Sequence, residues 1–274
     1  RTLIHTHTLP WDKCLSHKLM PAIKKGWKDN GKDVHFFWGL AGKNMGQIKQ
    51  CQEWGLEWWY VDVGYLTEQI TRYPEPIINN YDNTYFRICK GDIHTTTKGI
   101  ATPDRWNDLN KRGIDCEFKG WNDDGKHILL CPSSPTVCYH INNVQQDEWI
   151  ARTKLQLSEL TDRPIKMRNK PRPSNKWWNT DIKDDLKDAW CVVTNMSLSA
   201  VDGILNMTPA ITHQRNVASF VTSRKLAEVE KPFKPDRKMV QEWLNTIANH
   251  QFTISEIEDG LAYDTLKTQY SAGG

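Results

Sequence analysis

The chain has 274 residues with 36 Lys and Arg against 33 Asp and Glu, a formal net charge of +3, enough for one large domain or two compact ones of about 130 residues each. Such a balance permits an anionic partner without requiring one, and it lacks the strong basic bias of a dedicated nucleic-acid module. No apolar run approaches the roughly 18 residues of a membrane span and no signal peptide is visible, so a cytoplasmic protein without membrane contact is expected.

In chain order, Val34-His35-Phe36-Phe37-Trp38-Gly39 reads as a buried strand. The glycine-spaced turn Leu40 to Gly46 follows, then a helix to about Glu53, then Trp58 to Asp62 as the next strand, which together make a βαβ crossover. Tyr85 to Cys89 is a further strand after the Pro/Asn-rich loop from Pro74 to Asn83, and Pro103 to Lys111 is a short helical candidate. Turn residues cluster at Asn122-Asp123-Asp124-Gly125 and mark a boundary between domains 1–124 and 125–274. A second series opens with Lys126 to Cys131 as a strand, a Pro/Ser loop from Pro132 to Pro135, and a helix from about Asp147 to Leu160. Then come a short strand Ile165 to Arg168, the basic loop Asn169 to Pro173, a helix around Ile182 to Leu186, and the apolar run Ala189 to Val193. Asp236 to Asn249 and Thr253 to Leu266 read as closing helices. Alternating β and α elements in both halves predict an α/β protein of two Rossmann-like, doubly wound parallel sheets facing across a cleft.

Seven cysteines are scattered without CxxC pairs and mostly sit in apolar surroundings, which fits reduced, buried thiols better than disulfides or zinc. His5, His7 and His17 lack a carboxylate or Cys pair that would complete a metal site, so no metal is expected. The 13 tryptophans are mostly explained by core packing, but Trp177-Trp178 fall in a polar loop where aromatic faces could stack on sugars or bases.

The most informative stretch is Asp188 to Ile211: a strand, the polar turn Thr194-Asn195-Met196-Ser197-Leu198-Ser199, a helix, and Thr208-Pro209-Ala210-Ile211 opening another strand. Small polar residues at a helix start gather unpaired N–H groups and the positive end of the helix dipole, which favours a phosphate. An ordinary capped helix has the same pattern. Arg168, Lys170 and Arg172 stand at or just past a strand end, where ligands gather in open α/β sheets. They suit a diphosphate, and a solvated basic loop accounts for them equally well.

In the first half, Asp62 ends a strand and could take a proton from an acceptor hydroxyl, although strand-end aspartates also cap turns. His94 is the alternative base, and Tyr65, Arg87 and Asp92 are further acceptor-side candidates. Gly39 and Gly42 permit close backbone approach to a ligand, although their spacing is not GxGxxG.

The stretch around Ser197, Ser199, Asp202 and Pro209 resembles GT-B-type glycosyltransferases, whose nucleotide-binding half carries a strand, a Ser/Thr-rich turn, and a helix with an acidic residue seven positions before a proline. The chain departs from that pattern in having Asp202 where Glu is usual and Met207 where glycine is common. The resemblance implies a serine turn with Thr194 that holds the diphosphate of a UDP-sugar or another nucleoside-diphosphate sugar, and Asp202 on the ribose. It also implies basic side chains in place of a metal, with no resident cofactor. A narrower resemblance, carried by Pro232-Phe233-Lys234-Pro235-Asp236-Arg237, Trp243-Leu244 and Gln251-Phe252-Thr253, is to phage glycosyltransferases that decorate hydroxymethylated pyrimidines in DNA. It implies a monomer in the host cytoplasm acting on double-stranded DNA with modified bases. Flipping a base out of the duplex would suit Lys24-Lys25 and Lys111-Arg112, which a solvated surface explains as well. A cell-surface glycan acceptor, and a non-catalytic nucleotide or nucleic-acid-binding module, are the alternatives.

Overall fold

A computed structural model describes residues 1–11 and 14–272. The elements are β1 (Ile4–His7), α1 (Ser16–Gly26), β2 (Val34–Trp38), α2 (Asn44–Glu53), β3 (Glu57–Val63), β4 (Phe86–Lys90) and α3 (Asp104–Lys111). Next come β5 (His127–Leu130), α4 (Pro135–Asn142), α5 (Gln146–Leu160), β6 (Ile165–Met167), α6 (Ile182–Leu186), β7 (Ala189–Val193), α7 (Ser199–Leu205) and β8 (Ala210–Ile211). The chain closes with α8 (Arg237–Ala248), β9 (Gln251–Phe252), α9 (Ile254–Glu258) and α10 (Leu261–Ala272).

Two compact units result, Arg1–Cys116 with Leu244–Gly274, and Glu117–Trp243. The sequence reading puts the single boundary at 124/125 and leaves the closing helices in the second domain, whereas the chain returns to the first unit at Leu244. One arginine shows how the returning segment is held. Arg105 of α3 donates to Ala248 O (3.0 Å) and Gln251 O (2.8 Å) and forms two bonds, 3.0 and 2.8 Å, with the Glu256 carboxylate. Glu256 also completes a capping box with Thr253, so one carboxylate starts α9 and fastens it to α3.

The first unit's sheet has the order β1-β2-β3-β4-β9. β1, β2 and β3 run parallel, but β4 is antiparallel to β3 and β9 to β4. The wholly parallel sheet expected for this half is therefore corrected to a mixed one. No helical crossover separates β3 from β4, because the intervening segment is the Pro/Asn-rich loop. Strand alternation places Phe36 and Trp38, Trp59 and Val61, and Phe86 and Ile88 in one core with Leu19 and Ile23 of α1, Ile257 of α9 and Leu266 of α10. The opposite face carries aromatic and titratable groups. His5 and His35 stack at 4.4 Å, His7 and Phe37 at 4.1 Å, and a His7 Nε2···His35 Nδ1 contact of 3.0 Å links the two pairs. His17, by contrast, is exposed on α1.

The second unit's sheet, β6-β5-β7-β8, is parallel throughout. Its central strands β5 and β7 are buried along nearly their whole length, as a sheet covered on both faces requires. Ile128, Leu130, Cys191, Val193 and Ile211 meet Leu157 of α5 and Val229 in its core. All seven cysteines are free thiols, six of them buried. No helix among the described residues is long and apolar enough to cross a membrane.

Close packing of α1 on α9 tolerates no side chain at residue 26, where a Cβ would lie 1.7 Å from Ile257 O. Gly26→Ala is expected to destabilise the chain by about 2–3 kcal/mol in urea unfolding.

Two imidazoles, the half-buried His7 and the buried His250, make stability pH-dependent. Burial, then the charge of His35, pushes His7 down to about 4, and burial pushes His250 down to about 4. His250 Nδ1 lies 2.8 Å from Thr246 O, to which it donates, and its Nε2 has no partner. Protonation would therefore strand a charged donor in the interior. The unfolded chain takes up these protons near pH 6.5 and the folded chain only near 4, so stability is complete above 6.5 and is lost as the pH falls toward 4. His250 alone contributes about 3 kcal/mol by this linkage. Urea midpoints measured from pH 7 to 4 should fall for the wild type and fall less for His250→Asn; equal slopes would remove His250 from the account.

Candidate functional site

The second unit has the strand order 2-1-3-4 in its own sequence order, which reverses between β5 and β7. In open parallel sheets that reversal leaves a crevice at the C-terminal strand ends, where ligands bind. Two loops leave the sheet there. After β5, Ser134 caps α4, its Oγ accepting from Val137 N (3.4 Å), with Pro135 in the first turn. After β7, Thr194 Oγ1 accepts from Ser197 N (3.1 Å) and Ser197 Oγ from Ser199 N (3.1 Å). The hydroxyls of the turn thus fix its backbone before any ligand arrives.

Asn195, which no motif marks, joins these loops. Its Oδ1 accepts from Ser133 N (3.3 Å) and Ser133 Oγ, and its Nδ2 donates to Asn142 Oδ1 (2.9 Å). Its backbone O accepts from His213 N (3.1 Å) and Asn216 Nδ2 (3.1 Å), which brings in the loop after β8. Asn216 Nδ2 also reaches Ser197 O (3.3 Å). His213 Nδ1 accepts from Arg215 N (3.1 Å), so its neutral ring carries the proton on Nε2. Ser133, Asn195, His213 and Asn216 escaped the sequence reading because nothing local distinguishes them. Their relation exists only across three loops.

Thr194, Ser197 and Ser199, expected at the diphosphate, Asp202, expected at the ribose, and Arg168 all belong to this unit. Burial pushes the Cys131 thiol up to about 12. This thiol stays protonated and inert. Arg168 is only 6% exposed and bonds inside the protein, with Nη1 on Asp185 Oδ2 (2.5 Å) and Thr180 Oγ1 (3.0 Å) and Nη2 on Thr180 O (3.0 Å). Lys170 and Arg172 are exposed on the loop that follows. Gly39 and Gly42 belong to the first unit, whereas the rest of the donor set belongs to the second. Their φ values of 69° and 62° serve a turn closed by Asn44 Nδ2, which donates to Trp38 O (2.9 Å) and Gly39 O (3.1 Å).

The acceptor-side candidates form a separate cluster on the polar face of the first sheet. Asp62 and Arg87 are register partners on β3 and β4, with Asp62 Oδ2 3.5 Å from Arg87 Nη2 and accepting from Tyr60 OH (2.9 Å). Arg87 donates to Val63 O (2.6 Å) and Ile93 O (3.2 Å) and lies 5.5 Å from the ring centroids of both Tyr60 and Tyr65. Burial opposes its charge, but Asp62, Tyr65 and Tyr60 outweigh that and raise its pKa. Burial holds Tyr60 and Tyr65 protonated well above their usual range, and it pushes Cys89 up to about 11. His94 is buried with its ring 5.8 Å from Tyr65, and Asp92 Oδ1 accepts from Ile93 N (2.7 Å). The Asp62 side chain, 32% exposed, is the part of this cluster that reaches solvent together with Asp92. Among the described residues no group of His, Cys, Asp or Glu could hold a metal ion.

The sequence matches no protein-family model and no curated protein. The structure is similar to Thermosulfurimonas dismutans KpsC, beta Kdo 2,4 transferase, with a TM-score of 0.51 and 11% identity over 89% of each chain. A second solved structure, T. dismutans KpsC, beta Kdo 2,7 transferase, gives 0.49 and 11% over 96% of this chain and 99% of that one. At this identity the first likeness is one of fold.

The α7–β8 corner carries a local strain. Met207 has φ 66°, whereas the other non-glycine residues with positive φ among the described residues are Asn143, Asn179 and Asp188, which tolerate it. The position where GT-B sequences commonly have glycine is thus one whose backbone favours it. Met207→Gly is expected to raise stability by about 1 kcal/mol in urea unfolding; an unchanged or lower midpoint would show that Met207 packing outweighs the strain.

Proposed function

We propose that the chain is a glycosyltransferase of GT-B type, in which the second unit binds a nucleoside-diphosphate sugar and the first unit serves a glycan acceptor. The observation that carries this is the reversal of strand order between β5 and β7, where Asn195 and the turn's own hydroxyls fix the Thr194 to Ser199 turn in advance, in a unit whose β6–α6 loop bears the exposed Lys170 and Arg172. A prearranged set of hydrogen-bonding groups and cations suits a diphosphate, and suits it more as negative charge develops on a departing nucleoside diphosphate. Ser197 and Thr194 line the turn, Asp202 is the proposed ribose partner, and UDP-sugars are the donors to test first.

A glycan is preferred to DNA as acceptor. A protein of similar fold is named a beta Kdo 2,4 transferase, and this chain's acidic and basic residues nearly cancel. In the proposed reaction an acceptor hydroxyl loses its proton to the Asp62 carboxylate, its oxygen bonds to the anomeric carbon, and the bond from that carbon to the diphosphate breaks. Arg87 and Tyr60 hold the carboxylate in one orientation while they do so.

Calorimetry with nucleoside diphosphates and mass analysis of mixed glycan and DNA acceptors incubated with sugar nucleotides test this reading. Diphosphate binding with mass added to a glycan is the expected result; no diphosphate binding overturns it, and transfer to DNA alone restores the DNA acceptor. Asp62→Asn should keep donor affinity and lose transfer by about a hundredfold; full activity would move the base elsewhere.

A further inference from the structure

The loop between β6 and α6 is built as a closed cationic platform. From Asn169 to Thr180 it contains Lys170, Arg172 and Lys176 and no acidic residue, with Pro171 and Pro173 stiffening its first half. Asn175 orders the interior: its Nδ2 donates to Lys170 O (3.0 Å) and its Oδ1 accepts from Arg172 N (3.3 Å) and Trp177 N (3.1 Å). Thr180 Oγ1 donates to Trp177 O (2.7 Å). Trp177 is half-buried, and Lys176 Nζ lies 5.0 Å from its ring centroid.

Arg168 ties the two ends together. It stands at the loop's start with its own N–H on Leu130 O (2.9 Å), and its guanidinium grasps the hydroxyl and the carbonyl of Thr180 at the loop's end, with Asp185 balancing the charge. A planar fork makes these three contacts at once; an ammonium could keep the ion pair but not the paired grip on Thr180. Three of the five guanidinium N–H donors are committed in this way.

We infer that Arg168 is a positioning residue, which holds the 169–180 loop closed so that Lys170 and Arg172 meet the phosphates of a nucleoside diphosphate and Trp177 offers its face to the base. The inference rests on the donor reading of the second unit. Cation and ring together match the two halves of that ligand, an anion and a flat base.

The experiment uses the full chain with uridine diphosphate as the calorimetric probe, and limited trypsin digestion as a second readout. Lys170 and Arg172 precede prolines, so Lys176–Trp177 is the tryptic bond that reports opening of the loop. Arg168→Ala should weaken uridine diphosphate binding at least about tenfold and speed cleavage at Lys176 by a similar factor, with added methylguanidinium restoring affinity. Arg168→Lys should fall between the two. Replacing Lys170 and Arg172 together by Ala should weaken binding comparably with cleavage unchanged. If Arg168→Ala does not fold, Thr180→Val removes one acceptor, leaves the Asp185 ion pair, and should speed the same cleavage. Unchanged cleavage in folded Arg168→Ala or Thr180→Val overturns the closing role, and weaker binding with unchanged cleavage would make Arg168 a direct ligand instead. A wild-type chain that binds no nucleoside diphosphate removes the donor reading and the ligand half of this inference, whatever the cleavage shows.

Discussion

The candidate site depends on one buried amide. In the second unit every strand runs the same way, so each one delivers its outgoing loop to the same edge of the sheet. Loops gathered there would have little shape of their own, because loop backbone lacks the repeating bonds of a helix or strand. The Asn195 side chain and carbonyl supply those bonds between the loops after β5, β7 and β8. An amide suits the task because it accepts on one atom and donates on the other, so both neighbours are satisfied at a buried position without burying a charge.

The first unit solves a different problem with the same logic. One face of its sheet packs aliphatic and aromatic side chains against α1, α9 and α10, and the other carries stacked histidines and a guanidinium between two tyrosines. A buried guanidinium is tolerable only when its charge and its N–H groups are answered. Asp62 answers the charge, and the Val63 and Ile93 carbonyls take N–H groups. The consequence for function is that Asp62 arrives at solvent already oriented, which is what a proposed proton acceptor needs. The C-terminal helices complete this unit through Arg105, so about 30 residues at the chain's end serve the opening half of the chain rather than the half that precedes them.

Arg168 shows how the same residue type reads differently in one dimension and in three. A cation at a strand end in the same unit as a serine turn has the right charge for a phosphate. Its geometry gives it another duty, since Thr180 and Asp185 occupy its fork. The exposed cations Lys170 and Arg172 lie on the loop whose ends it joins.

Periodicity in the sequence determined most of the strands and helices, because alternation of apolar residues every second or every third to fourth position follows directly from strand and helix geometry. It also marked the Thr194 to Ser199 turn, whose hydroxyls act on backbone groups two or three residues away. The short strand Ile4–His7 was not legible, because its residues alternate between half-buried groups with no apolar run; α1 was obscured by Lys24, Lys25 and an internal Pro21. One expected helix from Thr253 to Leu266 is two, broken at Gly260 with φ 87°. Only the tertiary structure decided that β4 runs against β3, that the last helices return to the first unit, and that Asn195 and Arg168 are occupied by partners 62 and 12 residues away. Local pattern fixes what a residue's neighbours in the chain impose on it, whereas direction of pairing and choice of hydrogen-bond partner are set by whichever distant groups burial leaves in need of one.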